Sequence, residues 1–280
     1  LFEEAPYSSL IIKPPKIRMA EAPAKRVIIV GGSVGGLFSG IVFVRLGYDV
    51  TILERTPETA LVDQGAGQSV SPVVKPVADA LKELGTSGSP IIDFMEEYDR
   101  THTPFHTMCD GIQYLKRDGS LRKRVQLAFF HGATSWDIVY TILRANFDGE
   151  SKIGYIDPPR REEGDGKATY LSGVAVTGIQ DAGGDTVRVG YSNSDGETGS
   201  LEANLVVGAD GPSSIVRRLN LPEVGRNYAN YVAWRGTVRE ELLSESTQSL
   251  IGESITFFFQ RGHQIITYAP LKSPQIKGQC

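Results

Sequence analysis

The stretch Val27–Gly40, VIIVGGSVGGLFSG, decides the reading of this chain. A short apolar run ends in a glycine turn, and apolar positions then recur at helical spacing. Strand, glycine turn and helix N-terminus in that order open a dinucleotide-binding βαβ unit. The chain turns at the first glycine, passes a pyrophosphate with bare backbone, and aims helix N–H groups at the phosphates. Gly31 and Gly36 hold the outer positions of the G-x-G-x-x-G pattern, and Ser33 stands where the second glycine belongs. Serine is small and its hydroxyl can donate to a phosphate, so it weakens the pattern without breaking it. Gly35 and Gly36 are expected to keep the helix close to the strand. Gly31, Gly32, Ser33, Val34, Gly35 and Gly36 are therefore the candidate phosphate-side residues.

Gly47 closes the helix, and YDVTILER reads as a second strand with Glu54 at its end, 23 residues after Gly31. A carboxylate there accepts hydrogen bonds from ribose hydroxyls and repels a 2′-phosphate, which leaves FAD or NAD in preference to NADP at this loop. Arg55 follows. Strand alternation turns it to the opposite face, so it reads as a solvated or structural charge beside the cofactor-side candidates. The competing reading is a structural glycine turn in some other α/β fold. Strand, helix and acid all in register weigh against that.

A second motif separates the dinucleotides. In Leu205–Arg218, LVVGADGPSSIVRR, an apolar strand runs into Gly-Ala-Asp-Gly, then a proline and two serines that can cap a helix carrying Arg217. Alone, such a turn is common. Together with the N-terminal loop and the meander predicted between them, it resembles the flavoprotein monooxygenase family, the single-component aromatic hydroxylases related to p-hydroxybenzoate hydroxylase. Asp210 and Gly211 carry that match. VGGS at the loop, GAG at Gly65–Gly67, TSWDIVY at Thr134–Tyr140 and YANYVAWRG at Tyr228–Gly236 are similar to the branch containing 2,6-dihydroxypyridine 3-monooxygenase, where a serine in the glycine loop is usual.

The resemblance implies an α/β fold with a Rossmann-like FAD-binding layer of the glutathione-reductase type, a β-meander, and an antiparallel-sheet substrate domain. It implies a leader over 1–24, FAD-binding segments 25–92 and 134–222, and substrate-domain segments 93–133 and 223–280. It implies FAD as cofactor, NAD(P)H as electron donor, and a small aromatic substrate with O2, and is compatible with a homodimer. Gly67 joins the cofactor-side residues on this ground. Two departures stand out. Many relatives place an arginine at the start of the helix after the first sheet excursion, where this chain has Ser135. The family's later Gly-Asp motif is not found between Trp234 and Cys280, so the substrate domain is expected to be incomplete. The chain then reads as a truncation, or as a gene model that ran into non-coding sequence.

A base that removes a phenolic proton should sit on the sheet facing the flavin. His131, Tyr231, Tyr268 and His263 are the candidates, with Trp234 as an aromatic wall, and for each a purely structural role is the stronger reading. Phe257, Phe258 and Phe259 read as sheet core, Phe258 facing away from the other two.

Bulk properties narrow the classes. Of 280 residues, 40% are hydrophobic and 22% charged, and the net charge of −4 offers no surface for nucleic acid. Two cysteines, Cys109 and Cys280, make neither a disulfide framework nor a metal set, and the four histidines lack ligand spacing. No metal site is expected, and a reducing, cytoplasmic setting is the default. No run reaches the length of a membrane span. The first eighteen residues read as a disordered or over-extended start, with Met19 the more natural beginning. Two other readings stay open: a superfamily FAD reductase or epoxidase, and a non-catalytic fragment. An NAD-dependent dehydrogenase is disfavoured, because the Asp-Gly motif and the meander have no role there.

Overall fold

The computed structural model describes residues 25–58, 67–69, 90–108, 111–126, 132–150, 156–236, 238–251 and 254–268. The leader, Gly65, Cys109, His131, Cys280 and the helix that the apolar spacing predicts over 72–84 lie outside the described residues.

The apolar run forms β1 (Arg26–Val30), with its last four residues buried. Val27 and Ile29 join one core cluster, Ile28 and Val30 another. Burial on both faces is why the run is continuous and not alternating. Each such side chain contributes roughly 1.5–3 kcal/mol. After the glycine turn comes α1 (Val34–Arg45), followed by Gly47 at φ 86° and β2 (Asp49–Glu54). β2 lies parallel to β1, with Val27 opposite Val50 and Ile29 opposite Ile52. The βαβ unit is as expected from the sequence.

The chain then makes β3 (Gly67–Ser69), α2 (Pro90–Tyr98), β4 (Thr107–Met108), β5 (Gly111–Leu115), β6 (Leu121–Gln126) and β7 (Gly132–Ser135). The alternation and turn signals over 86–133 suit an antiparallel layer, but α2 occupies the start of that stretch. Phe94, Met95 and Tyr98 recur at helical spacing, and Phe94 stacks on Phe38 of α1 with ring centroids 4.0 Å apart. The Asp118-Gly119 turn does join β5 to β6, with Gly119 at φ 81°.

α3 (Trp136–Phe147) is capped by Ser135, whose hydroxyl accepts from the Ile138 amide. It packs on α1, and ten of its twelve residues are buried. β8 (Ala168–Ser172), β9 (Val174–Gly183), β10 (Thr186–Asn193), β11 (Thr198–Ala203) and β12 (Leu205–Gly208) follow. β9 to β11 form the expected antiparallel meander, one strand longer than the sequence indicated. β8 was not anticipated. The parallel sheet runs β12-β1-β2-β8, between the helices on one face and the meander on the other.

The short α4 (Ile215–Asn220) and α5 (Glu245–Ile251) precede β13 (Ser254–Gln260) and β14 (His263–Thr267). A separate sheet has the order β14-β13-β5-β6. It is mixed, because β13 runs parallel to β5 and antiparallel to β14. Phe257 and Phe259 share a face with Tyr114, and Phe258 lies on the other, as strand alternation requires. The sequence YVAWRGTV predicts a strand that is not formed: residues 228–236 are exposed and carry no strand. Their apolar alternation finds no partner among the described residues, and a strand without a ladder does not persist. No helix among the described residues is long and apolar enough to cross a membrane.

Candidate functional site

β1, β2 and β12 all point their C-terminal ends at one edge of the parallel sheet, the edge where open α/β sheets gather ligands. The glycine turn leaves β1 there, Glu54 ends β2, and Asp210 follows β12. Two bonds lock the turn between its neighbours: Gly31 N–H donates to Leu53 C=O (2.9 Å), and Ala209 N–H to Val30 C=O (2.7 Å).

Gly31 has φ 102°, and a Cβ on it would overlap the Ala209 carbonyl. A Cβ on Gly32 would overlap the Tyr170 hydroxyl, and one on Gly36 the Gly31 carbonyl. Gly36 thus keeps α1 close to β1, as expected. Gly35 does not share that role: nothing lies within 4 Å of a Cβ built on it, and its outer face is open. Ahead of the first intrahelical bond, Leu37 N–H to Ser33 C=O, the amides of Val34, Gly35 and Gly36 have no acceptor inside the helix.

Glu54 is buried, and both its oxygens are engaged. Oε2 accepts from Gly32 N–H (2.7 Å) and Oε1 from Thr56 N–H (2.8 Å). The acid therefore braces the glycine turn from behind, and each oxygen keeps a lone pair for a further donor. Arg55 is exposed, in line with its place on the opposite face. Asp210 Oδ2 accepts from the Ile215 amide (2.7 Å), which ties the Asp-Gly turn to α4. Its Oδ1 is buried and has no hydrogen-bond partner among the described residues. Arg217 folds back and donates to the Gly211 carbonyl (3.4 Å). Gly67 pairs with Ser135 across the β3–β7 ladder, one step from the helix that touches the loop.

Residues of α3 and β8 that sequence reasoning passed over complete this edge. Tyr170 Oη donates to the Gly32 carbonyl (2.9 Å), and Tyr140 Oη donates to Tyr170 Oη (3.2 Å). Arg144 donates to Tyr140 Oη (3.0 Å), pairs with Asp148 (2.8 Å), and lies 3.8 Å over the Tyr170 ring. Burial, the Tyr140 hydroxyl and Glu54 push the Tyr170 phenol above the usual tyrosine range, so it stays a neutral donor. Burial lowers the Arg144 pKa, yet the Asp148 carboxylate and Tyr140 outweigh it and raise the guanidinium above its ordinary value. Trp136 donates its indole N–H to Ser33 Oγ (3.2 Å). The motif TSWDIVY contained Trp136 and Tyr140, yet periodicity marks them only as core. No local pattern ties Tyr170 to a loop 138 residues away.

The proposed bases among the described residues, Tyr231, Tyr268 and His263, are not brought together. Tyr231 is 71% exposed and Trp234 93%, while the His263 imidazole, bonded to Gln260, opens β14 and Tyr268 follows its last residue. Trp234 lines no wall among the described residues.

Comparison with known proteins bears on this arrangement. A family model described as FAD binding domain-like matches residues 228–277. The 2,6-dihydroxypyridine 3-monooxygenase of Paenarthrobacter nicotinovorans is 27% identical over 246 residues, covering 87% of this chain and 50% of that protein. The chain is similar in sequence to that hydroxylase. A second such hydroxylase, the 3-hydroxybenzoate 6-hydroxylase of Polaromonas naphthalenivorans, is 26% identical over 232 residues, 82% of this chain and 50% of that one. The chain spans about half the length of these curated relatives. Among solved structures, the fold is shared with 2,6-dihydroxypyridine-3-hydroxylase from Arthrobacter nicotinovorans, at a TM-score of 0.58 and 22% identity, covering 91% of this chain and 54% of that one. HpxO from Klebsiella pneumoniae, solved in complex with FAD, has a TM-score of 0.50 at 18% identity, covering 89% of this chain and 55% of that one.

Proposed function

We propose that this chain holds FAD as part of a monooxygenase that hydroxylates an electron-rich aromatic ring of the hydroxypyridine or phenol type, with NAD(P)H and O2. The observation that carries the reading is the donor set at the C-terminal edge of β12, β1 and β2. Three glycines there leave no room for a Cβ, so the backbone is shaped to approach a ligand closely. The open amides at the start of α1 suit an anionic diphosphate, and Glu54 retains acceptor capacity for ribose hydroxyls. Asp210 Oδ1, buried and without a hydrogen-bond partner among the described residues, is a further acceptor held beside the glycine turn. These residues fit a dinucleotide. Gly31, Gly32, Ser33, Val34, Gly35 and Gly36 would hold the diphosphate, Glu54 the adenosine ribose, and Asp210 with Gly211 the flavin side; Gly67 and Arg55 flank the site.

When bound, the flavin supplies the redox chemistry that activates O2; the chain's own residues bind, orient and exclude water. The sheet β14-β13-β5-β6 is the proposed substrate layer. Its aromatic face carries Tyr114, Phe257 and Phe259, flat surfaces suited to an aromatic ring. The related hydroxylases act on a dihydroxypyridine and a hydroxybenzoate by name, and this supports the substrate class. The same reading takes the cytoplasm as compartment and allows a homodimer.

The deciding experiment is a visible spectrum of the purified 280-residue chain after incubation with FAD and desalting. Retained absorbance with the flavin double band is the expected result, and NAD(P)H oxidation is then screened with hydroxypyridines and phenols. A colourless protein overturns the assignment.

A further inference from the structure

Ser33 occupies the N-cap of α1 but does not cap it. A serine at that position ordinarily accepts from the second or third amide of its helix; here no such bond is made. Its Oγ accepts instead from Nε1–H of Trp136 at 3.2 Å, on a helix 103 residues further along the chain. The indole is held on its other sides. It stacks on Tyr140 with ring centroids 4.6 Å apart and planes 12° from parallel. Tyr140 is fixed in turn by Tyr170 and Arg144, and Ser135 caps the helix at the residue before.

Two consequences follow. With the hydroxyl turned toward the indole, the amides of Val34, Gly35 and Gly36 stay open at the helix end. An indole N–H can only donate, so the Ser33 oxygen serves as acceptor on that side and its own proton must point elsewhere. Among the described residues, nothing else takes a bond from it.

We propose that Trp136 is a positioning residue: by holding Ser33 Oγ as an acceptor it aims the serine proton at the diphosphate of the bound dinucleotide, so that an oriented hydroxyl replaces the glycine of the usual pattern. The inference rests on the FAD reading above and deepens it.

The test compares FAD and ADP affinities, by calorimetry, of the unmodified 280-residue chain, Ser33→Ala, Trp136→Phe and the double variant. ADP carries the diphosphate without the flavin. Losing one hydrogen bond to a charged group should weaken FAD about ten-fold in Ser33→Ala, with a similar factor for ADP. Trp136→Phe should weaken it in the same direction. The double variant should bind no more weakly than Ser33→Ala, since both changes remove one interaction. A merely structural tryptophan would give losses that add. Unmodified protein that binds FAD while Ser33→Ala binds equally well, or while the losses add, overturns this inference and leaves the FAD reading standing. Unmodified protein that binds neither ligand overturns both. Should Trp136→Phe fail to fold, Ser33→Ala alone decides.

Discussion

Gly32 is boxed in by groups that have no freedom to give. Its carbonyl receives the Tyr170 hydroxyl, its amide donates to Glu54, and the position of a Cβ is already filled by the tyrosine oxygen. Gly32→Ala therefore has to displace a phenol that Tyr140 and Arg144 hold from behind. The expected cost is about 2–3 kcal/mol, in the range of overpacked cores. Tyr170→Phe keeps the ring and the Arg144 contact but leaves the Gly32 carbonyl without its donor, at a cost of about 1–2 kcal/mol. Urea unfolding of the two variants checks both the size and the order; a Gly32→Ala midpoint at the unmodified value would show that the tyrosine moves freely. Glu54 is singled out by its place in the sequence for one role, and the structure shows it in another. Its distance from Gly31 marked it as a ribose acceptor, whereas its two short bonds to backbone amides make it a brace of the turn.

Between elements, the contact that positions the loop is α1 against α3. It closes at Gly40, where a Cβ would stand 2.9 Å from Phe147 Cε2 and 3.1 Å from Ile52 Cδ1. Two effects oppose each other in Gly40→Ala. Helix propensity favours alanine by about 1 kcal/mol, and the clash against a fully buried phenylalanine costs about 1–3 kcal/mol. Phe147 ends α3 against the sheet and cannot retreat, so the clash wins and a net loss of about 1 kcal/mol is expected. Chemical denaturation reads it, and a stabilised Gly40→Ala would mean that α3 slides to make room. The consequence reaches the site, because the same helix carries Trp136 to Ser33 and Arg144 to Tyr170.

At the scale of the whole molecule, Asp165 ties together parts of the chain far apart in sequence. Its carboxylate, with 4% of the side chain exposed, pairs with Arg45 at the end of α1 and with Arg100 after α2, each at 2.8 Å. Burial raises its pKa, but the Glu162 amide and the two guanidinium groups outweigh that and hold it below the usual carboxylate range. The folded state thus favours the ionised form. This stabilisation is complete above the unfolded aspartate pKa of about 3.9 and is lost as pH falls through the lower folded value. Asp165→Asn should cost about 2–3 kcal/mol at pH 7, below the full figure for a buried pair because Arg100 is a quarter exposed. The gap between variant and unmodified protein should close as the pH is lowered below 4. Stability measured from pH 7 down to pH 2 tests this, and a gap that stays constant would remove Asp165 from the acid response.

What the sequence determined was local and periodic. The apolar run of β1, the helix spacing of α1 and α3 and the Asp-Gly turn each show in the order of residues within one turn or one strand. They read correctly because backbone sterics and burial on both faces act at that range. Two kinds of feature were decided only by tertiary structure. Pairing made β8 and β11 strands and left residues 228–236 without one, since an extended segment becomes a strand only where a ladder receives it. Contact across the sheet gave Tyr170, Arg144 and Trp136 their roles. Each is an ordinary core residue by sequence, and the loop it supports lies more than a hundred residues away along the chain. Hydrogen-bond partners at such separations are chosen by how the layers pack, and no spacing along the chain records that choice.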